Sequence, residues 1–371
     1  MRSWLGRRLL IAWVMLSSVI ALLGLFFWLR AGLAGTLGGT DFLSFYATSR
    51  VLLTEGPAHV YDLAAQRQVQ TQLGGSGTLP FLPDPYPPYW ILARCWLALL
   101  PLRWAYLVWG LLTIAATGGA LFLLARVADL KGRRAWPTLI AAGFPPVVLN
   151  LLQGQPVAFL LLGIALSLWF WSRGRETLAG AALALLLIKP QIAGLLLALV
   201  VLHRSFRALA GLMLAVAALA AASLTAFGAT GVTAWLKLLG ADQGAVFRPW
   251  LSLRAPLVAL RLTALDQYVW LALLGGAILV VMALARLDLR GSFATATAGG
   301  LLIAPHLNLH DLTLLIVPAI LIVGTARGRL ITALGYFAAA AAIWLAPAAL
   351  LAEVTLGGGA LTARWRAQGR R

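Results

Sequence analysis

Asp41 stands in the stretch GGTDFLSFYATSR, directly after the first long apolar segment, and is one of only eleven acidic residues among 371. Hydrocarbon penalises a charged side chain by about 2.5–3.5 kcal/mol at a helix centre, so each carboxylate that such a chain keeps calls for its own explanation. A second sparse charge, Lys189, interrupts AALALLLIKPQ and is the only lysine between Lys131 and Lys237. A third group, His306 and His310 with Asp311 behind them, lies in PHLNLHD. A carboxylate can remove a proton from a hydroxyl, and a fixed cation or hydrogen-bond donor can stabilise negative charge as it builds on a departing group.

Each of these residues also has a structural reading. Asp41 can cap a helix that begins there. Lys189 can extend its head to lipid headgroups, although Pro190 disfavours helical geometry at that point and leaves backbone groups in need of partners. His306 and His310 share a face if Pro305 opens a helix. There they can hydrogen-bond an anion, orient Asp41, ligate a metal together with Asp311, or be satisfied core histidines. A zinc-protease signature needs Glu after the first His, where this chain has Leu307. Asn150, Gln153 and Gln155 flank Gly154 and offer neutral donors and acceptors suited to sugar hydroxyls, or else a polar turn between helices. Gln191, Tyr46, Arg50 and Tyr86 complete the candidate binding set, with Arg248 and Arg254 as further anion contacts. His59, Tyr61, Asp62 and Asp84 have no chemical role that their residue types disclose. The single cysteine, Cys95, excludes an intrachain disulfide and reads as a small buried hydrophobe.

The elements that must position these side chains are membrane helices. Hydrophobic residues make up 61% of the chain and charged ones 11%, against about 25% charged in a soluble domain, and mean hydropathy is +0.91. This composition predicts an all-α, polytopic membrane bundle. The net charge of +18 sits at the ends of apolar segments: Arg2, Arg7 and Arg8; Arg126, Lys131, Arg133 and Arg134; Arg173 and Arg175; His203, Arg204 and Arg207. That is the positive-inside pattern, with the lipid bilayer as partner. No aromatic-basic binding module accompanies it, so nucleic acid is excluded as a partner.

Residues 9–29 are too long for the apolar core of a signal peptide and read as a retained anchor with a cytoplasmic N-terminus. Residues 31–85 then form the first extracytoplasmic loop, with two short helices over Asp41–Thr54 and residues 58–73. The first places Phe42, Phe45, Tyr46 and Ser49 on one face and is expected to lie on the membrane surface. The loop GGSGTLPFLPDPYPP follows, and Tyr86, Tyr89 and Trp90 read as an interfacial aromatic belt. Further apolar segments cover about residues 88–100, 104–125, 137–149, 157–171, 178–188, 191–202, 209–227, 251–262, 269–285, 293–303, 312–323 and 330–351, giving about 10–13 membrane segments. Several fall short of the roughly 20 residues that a straight span needs. Short, broken helices are tolerated at membrane depth only where they pack in protein or line a wet cavity. A cavity is therefore expected where NLLQGQP, KPQ and PHLNLHD interrupt the helices. With the basic clusters inside, Asp41, residues 150–155, Lys189 and residues 306–311 converge on the outer face, and residues 88–100 are either re-entrant or alter the span number by about two. Residues 1–350 make a single embedded domain and residues 351–371 a Gly/Arg-rich tail.

Taken in order, GTDFLSFY, YPP at residues 86–88, the paired Pro145 and Pro146 followed by Gly154 and Gln155, KPQ and PHLNLHD resemble glycosyltransferase family 87 over roughly residues 8–350. The resemblance implies a GT-C-like fold and the activity of a polyprenyl-phosphate-mannose-dependent mannosyltransferase in the cell inner membrane, its site facing the extracytoplasmic side. It implies inverting transfer of a hexose, taken as mannose, from a polyprenyl monophosphate to a lipid-linked or periplasmic glycan or glycolipid acceptor. It carries the general-base role onto Asp41, and leaves Lys189 with His306 or His310 to hold phosphate and residues 86–90 to seat the lipid. The lipid-phosphate sugar is then a co-substrate, and neither cofactor nor metal is implied. The chain has no Walker or Rossmann fingerprint. A lipid or small-solute transporter is the competing reading: broken helices with intramembrane Lys and His suit it, but a loop of about 50 residues opening on an acidic residue does not. An assembly protein without turnover leaves the gathering of Asp41, Lys189 and His306 unexplained.

Overall fold

The computed structural model describes residues 2–74, 81–130, 135–240, 251, 276, 287–304, 306–324, 326–342, 353 and 355–356, and every regular element among them is a helix. α1 (Arg2–Ala34) is a 33-residue rod, about 50 Å long at 1.5 Å per residue. It leaves Leu9, Met15, Leu22 and Phe26 exposed, as a lipid-facing helix does. α2 (Asp41–Thr54) follows at the boundary that the sequence predicts. The second expected loop helix is divided. A turn of 3-10 helix over Pro57–His59 precedes α3 (Leu63–Gly74), because the Asp62 carboxylate accepts the Ala64 amide at 2.8 Å and restarts the chain there.

α2 is packed within the protein rather than laid out with one open face. Nine of its fourteen residues are buried, and it packs against α3 and the 3-10 turn Cys95–Leu99. That turn continues α4 (Pro88–Arg94). The two pieces together reach only about 20 Å, too short to cross as a rod, which suits a re-entrant segment. Trp90 and Tyr86 are buried rather than interfacial, and Cys95 is half-buried.

α5 (Leu102–Val127) is the second long apolar helix. Short helices come next: α6 (Ala135–Ala142), α7 (Pro145–Gln153), α8 (Val157–Trp171), α9 (Glu176–Leu183) and α10 (Pro190–Leu202). The expected segment 137–149 is split between α6 and α7 because Pro145 and Pro146 can only open a helix. α8 is the hub. Leu160, Leu161, Ile164 and Leu168 have no solvent exposure, and the helix packs on α5, on α9 and on the 3-10 turn Ala184–Ile188.

α11 (Phe206–Gly240) crosses α9 at backbone distance. A Cβ at Gly180 would come within 1.8 Å of the Ala208 carbonyl oxygen, and one at Gly211 within 1.9 Å of the Thr177 carbonyl oxygen. At Gly228 (φ 64°, ψ 177°) α11 bends. Beyond the bend, Leu238 joins Phe227 against Val60, Tyr61 and Ile91, and the Trp235 indole N–H donates to the Pro85 carbonyl at 3.0 Å. α12 (Leu289–Leu302) packs on α10, a 3-10 stretch Leu309–Leu315 runs into α13 (Ile316–Ile322), and α14 (Ala326–Ala341) lies against α13.

Arg7–Ala34, Leu102–Val127 and Phe206–Leu239 are each long and apolar enough to cross a membrane. With the shorter apolar helices they describe a helical membrane bundle. The expected segments 251–262 and 269–285 lie almost entirely outside the described residues, as do Lys131, Arg133, Arg134, Arg248, Arg254, Pro305 and nearly all of the tail.

The α9–α11 crossing yields a stability prediction. Gly180→Val should force the helices apart at a cost of about 1–3 kcal/mol, read as a lower thermal unfolding midpoint of the detergent-solubilised protein.

Candidate active site

The first structural surprise is that Asp41 does not cap α2. Thr40 is the N-cap, in extended geometry, and its hydroxyl accepts the Leu43 amide while donating to the Leu37 carbonyl at 2.7 Å. Asp41 is therefore the first helical residue, and its carboxylate is left to reach elsewhere. Oδ2 accepts a 2.7 Å hydrogen bond from Gln155 Nε2, and the Asp41 amide donates to Gln153 Oε1 at 3.3 Å.

Both glutamines reach α2 because the chain reverses between them. Gly154 ends α7 in the left-handed region (φ 71°, ψ 26°), which glycine alone adopts without strain. A Cβ there would also lie 2.6 Å from the Phe42 Cβ. The Trp109 indole N–H fixes the turn by donating to the Gly154 carbonyl at 2.6 Å. Asn150 belongs to this scaffold: fully buried, it accepts the Val157 amide on Oδ1 at 3.2 Å and the Gln155 amide on its carbonyl at 3.0 Å. The structure thus uses Asn150 as the polar turn between α7 and α8.

Tyr86 closes the same cluster, with its hydroxyl donating to Gln155 Oε1 at 2.9 Å. Its carbonyl accepts the Tyr61 hydroxyl at 2.8 Å, and its amide donates to Asp84 Oδ1 at 3.3 Å. Asp84 forms an ion pair with Arg94, both almost wholly buried. The guanidinium lies 4.5 Å from the Phe45 ring centroid and 5.6 Å from that of Tyr86.

Two predicted residues of α2 stand apart. The Tyr46 hydroxyl donates to the Leu100 carbonyl at 2.7 Å. Arg50 is exposed, and nine residues on from Asp41 it lies half a turn round the helix.

The second cluster forms around Lys189, which has non-helical geometry (φ −130°, ψ 76°) where the turn Ala184–Ile188 meets α10. Its buried ammonium donates to Asp311 Oδ1 at 2.7 Å and to His310 Nε2 at 3.1 Å. Since Nε2 accepts, the His310 ring proton is placed on Nδ1. Asp311 Oδ2 accepts the Asn308 amide at 2.9 Å, half of a reciprocal cap that starts the 3-10 stretch. His306 precedes that cap, its Nε2 3.2 Å from Asn308 Nδ2. His306 and His310 consequently do not share a helix face, because the helix starts between them, at Leu309. Gln191 is half-buried in the first turn of α10, beside Lys189.

The two clusters feel each other electrostatically. Burial holds the Asp41 carboxyl above the usual 3.8, against the opposing pull of the Gln155 hydrogen bond and the Lys189 ammonium, while Asp311 and Asp84 add to the rise. Burial, opposed by Asp311 and assisted by Lys189, takes His306 down to about 4, so its ring is neutral at pH 7. Among the described residues no three His, Cys, Asp or Glu side chains gather as metal ligands. A gap too narrow to hold water lies behind α2, between Phe45, Arg94 and Trp109, and an apolar cavity of about 40 Å³ is floored by Trp13 and Tyr336; neither is lined by Asp41 or Lys189.

A family model described as glycosyltransferase family 87 matches residues 85–318, well over half of the chain. The chain belongs to glycosyltransferase family 87. It is accordingly a glycosyltransferase, with a sugar donor and an acceptor as substrates. The family 87 match takes in Tyr86, Gln153, Gln155, Lys189 and residues 306–311 but begins after Asp41, so Asp41 enters the site through the glutamine contacts just described. Comparison with curated proteins and with solved structures gave no match.

Sequence reasoning overlooked the counter-ion of Lys189 and the whole Asp84–Arg94 pair. The available signal was charge scarcity: Arg94, alone in PYWILARCWLALL, and Asp84, between two prolines ten residues earlier, each need a partner if buried. Arg94→Met should strand the Asp84 charge and cost about 3–5 kcal/mol, seen as a lower thermal midpoint. Adding Asp84→Asn should recover most of the loss.

Proposed function

We propose that this family 87 enzyme transfers a hexose, mannose, from a polyprenyl monophosphate to a hydroxyl of a lipid-linked or periplasmic glycan acceptor, with inversion at the anomeric carbon. The observation that supports it most is Asp41, turned in from α2 onto Gln155 and within electrostatic reach of the Lys189–His310–Asp311 cluster. An inverting displacement needs these two features on one site: a carboxylate to take the acceptor's proton, and a cation for the group that leaves.

In this reading the acceptor oxygen attacks the anomeric carbon as its proton passes to Asp41. The bond from that carbon to the phosphate oxygen breaks, and the polyprenyl phosphate departs with the electron pair. Lys189 has three N–H donors, of which Asp311 and His310 engage two. Among the described residues nothing else engages the third, which can meet the phosphate while Asp311 and His310 hold the ammonium in place. Neutral His306 is suited to hydrogen-bonding the phosphate. Gln153 and Gln191 remain candidates for sugar hydroxyls.

The lipid tail of such a donor explains a site at the bilayer boundary. The reading places Asp41 on the extracytoplasmic side of the cell inner membrane and treats residues 1–350 as one GT-C-like domain of about 10–13 membrane segments. Residues 86–90 help to wall the lipid site, and the lipid-phosphate sugar is a co-substrate with the acceptor.

Transfer of radiolabelled hexose from purified polyprenyl phosphate donors tests it. Asp41→Asn should lower the rate by about 10²–10⁴, and equal transfer by the variant removes Asp41 as base. Because the base must be deprotonated, activity in the wild type should rise with pH through a midpoint above the usual carboxylate value of 3.8 and be lost as pH falls below it.

A further inference from the structure

We infer that Tyr86 and Gln155 are positioning residues that orient the Asp41 carboxylate and set its proton affinity, rather than contacts to the sugar; the inference rests on the reading of Asp41 as base. Gln155 is 5% exposed, and both ends of its amide are engaged within the protein: Nε2 to Asp41 Oδ2 at 2.7 Å and Oε1 from the Tyr86 hydroxyl at 2.9 Å. The order of these bonds is forced. A carboxylate only accepts, so the Gln155 amide must present nitrogen to Asp41 and oxygen to Tyr86. Turned over, it would set two acceptors against each other. The carboxylate thus sets the amide's orientation, and the tyrosine hydroxyl, able to donate, takes up the carbonyl oxygen turned toward it; by donating there it polarises the amide and strengthens the N–H bond to the carboxylate.

Tyr86 is well fixed for this task. Its ring stands edge-on to Phe45 at 5.2 Å, its amide is held by Asp84, its carbonyl by Tyr61, and its neighbour Pro85 by Trp235. The Asp84–Arg94 pair beneath it cannot shift without unpairing a buried charge. The sequence Asp84, Tyr86, Gln155, Asp41 is thus a continuous hydrogen-bonded line from a buried ion pair to the reacting carboxylate. Gln153, half-buried and among the described residues bonded to the Asp41 backbone amide alone, is not part of it.

The Asp41 carboxyl is bonded to Gln155 and lies in the field of Lys189, Asp311 and Asp84, with Tyr86 bonded to the glutamine and Arg94 to Asp84. Removing one hydroxyl leaves all the charged groups in place, so a change in Asp41 titration reports the line itself. The measurement is carboxyl ¹³C NMR of the full-length protein labelled at its eight aspartates, the Asp41 signal being the one absent in Asp41→Asn. Tyr86→Phe should raise the Asp41 midpoint by about 0.5 pH unit, a threefold loss of carboxylate at a fixed acidic pH, and Gln155→Leu should raise it at least as far. Tyr106→Phe, which removes another buried hydroxyl, one bonded to the Leu152 carbonyl, should leave it unchanged.

In the transfer assay the acid limb of the Tyr86→Phe pH profile should move with the NMR midpoint. An unmoved midpoint in both variants, or an equal movement in Tyr106→Phe, overturns the inference. So does a rise in KM with no change in the pH profile, which would make Tyr86 a substrate contact. Since the NMR readout needs no turnover, a shifted midpoint in a protein whose transfer ignores Asp41→Asn would uphold the line and sink the base.

Discussion

Lys189 and Asp311 meet at 2.7 Å with almost no exposure on either side, and this pairing conditions the rest of the architecture. An isolated ion of either sign in an apolar bundle would be neutralised or expelled. Paired, and further hydrogen-bonded to His310 and to the Asn308 amide, the two groups satisfy each other where little water reaches them. The same logic governs Asp84 and Arg94. Both buried ion pairs contribute to the field at the half-buried Asp41, whose proton affinity is set in part by fixed protein charges.

Those charges can be where they are only because the helices stop. Gly154 reverses the chain between α7 and α8, Pro190 forces Lys189 out of helical geometry, and Asn308 caps the 3-10 stretch carrying His310 and Asp311. At each break, backbone groups lose their intrahelical partners, and polar side chains are at hand to serve them. The fold gathers helix ends, so it also gathers polar groups, and the clusters are a by-product of satisfying the backbone as much as of placing chemistry.

That economy explains what could be read from the sequence. The all-helical architecture, the bounds of α2 and α8, and the three breaks follow from apolar run length, Gly and Pro, all of which are local. The burial of α2 does not. Ser44, Thr48 and Ser49 make the segment look too polar to bury, yet Thr48 and Ser49 return their hydroxyls to carbonyls one turn back, and Ser44 donates to the Leu82 carbonyl. Polarity consumed internally leaves a face that can be buried. Tyr86 and Trp90 were misplaced at an interface because aromatic residues beside prolines suit a lipid boundary equally well. The partners of Lys189 and of Asp41 lie more than a hundred residues away, where neither periodicity nor spacing reaches. Resemblance to the family brought Asp41, Lys189 and the histidines onto one page, but not their hydrogen-bond partners.

The 122-residue separation of Lys189 from Asp311 has a consequence for biosynthesis. At 5–20 residues per second, about 6–25 s pass between the emergence of the cation and that of its counter-ion. Through that interval the lysine must stay hydrated at the insertion machinery or a helix end, because settling at its final depth alone would leave an ammonium in oil. Docking of the last third of the chain is then what releases it into place, and a nascent protein halted before Asp311 would expose a misfolded, charge-bearing junction to quality-control proteases.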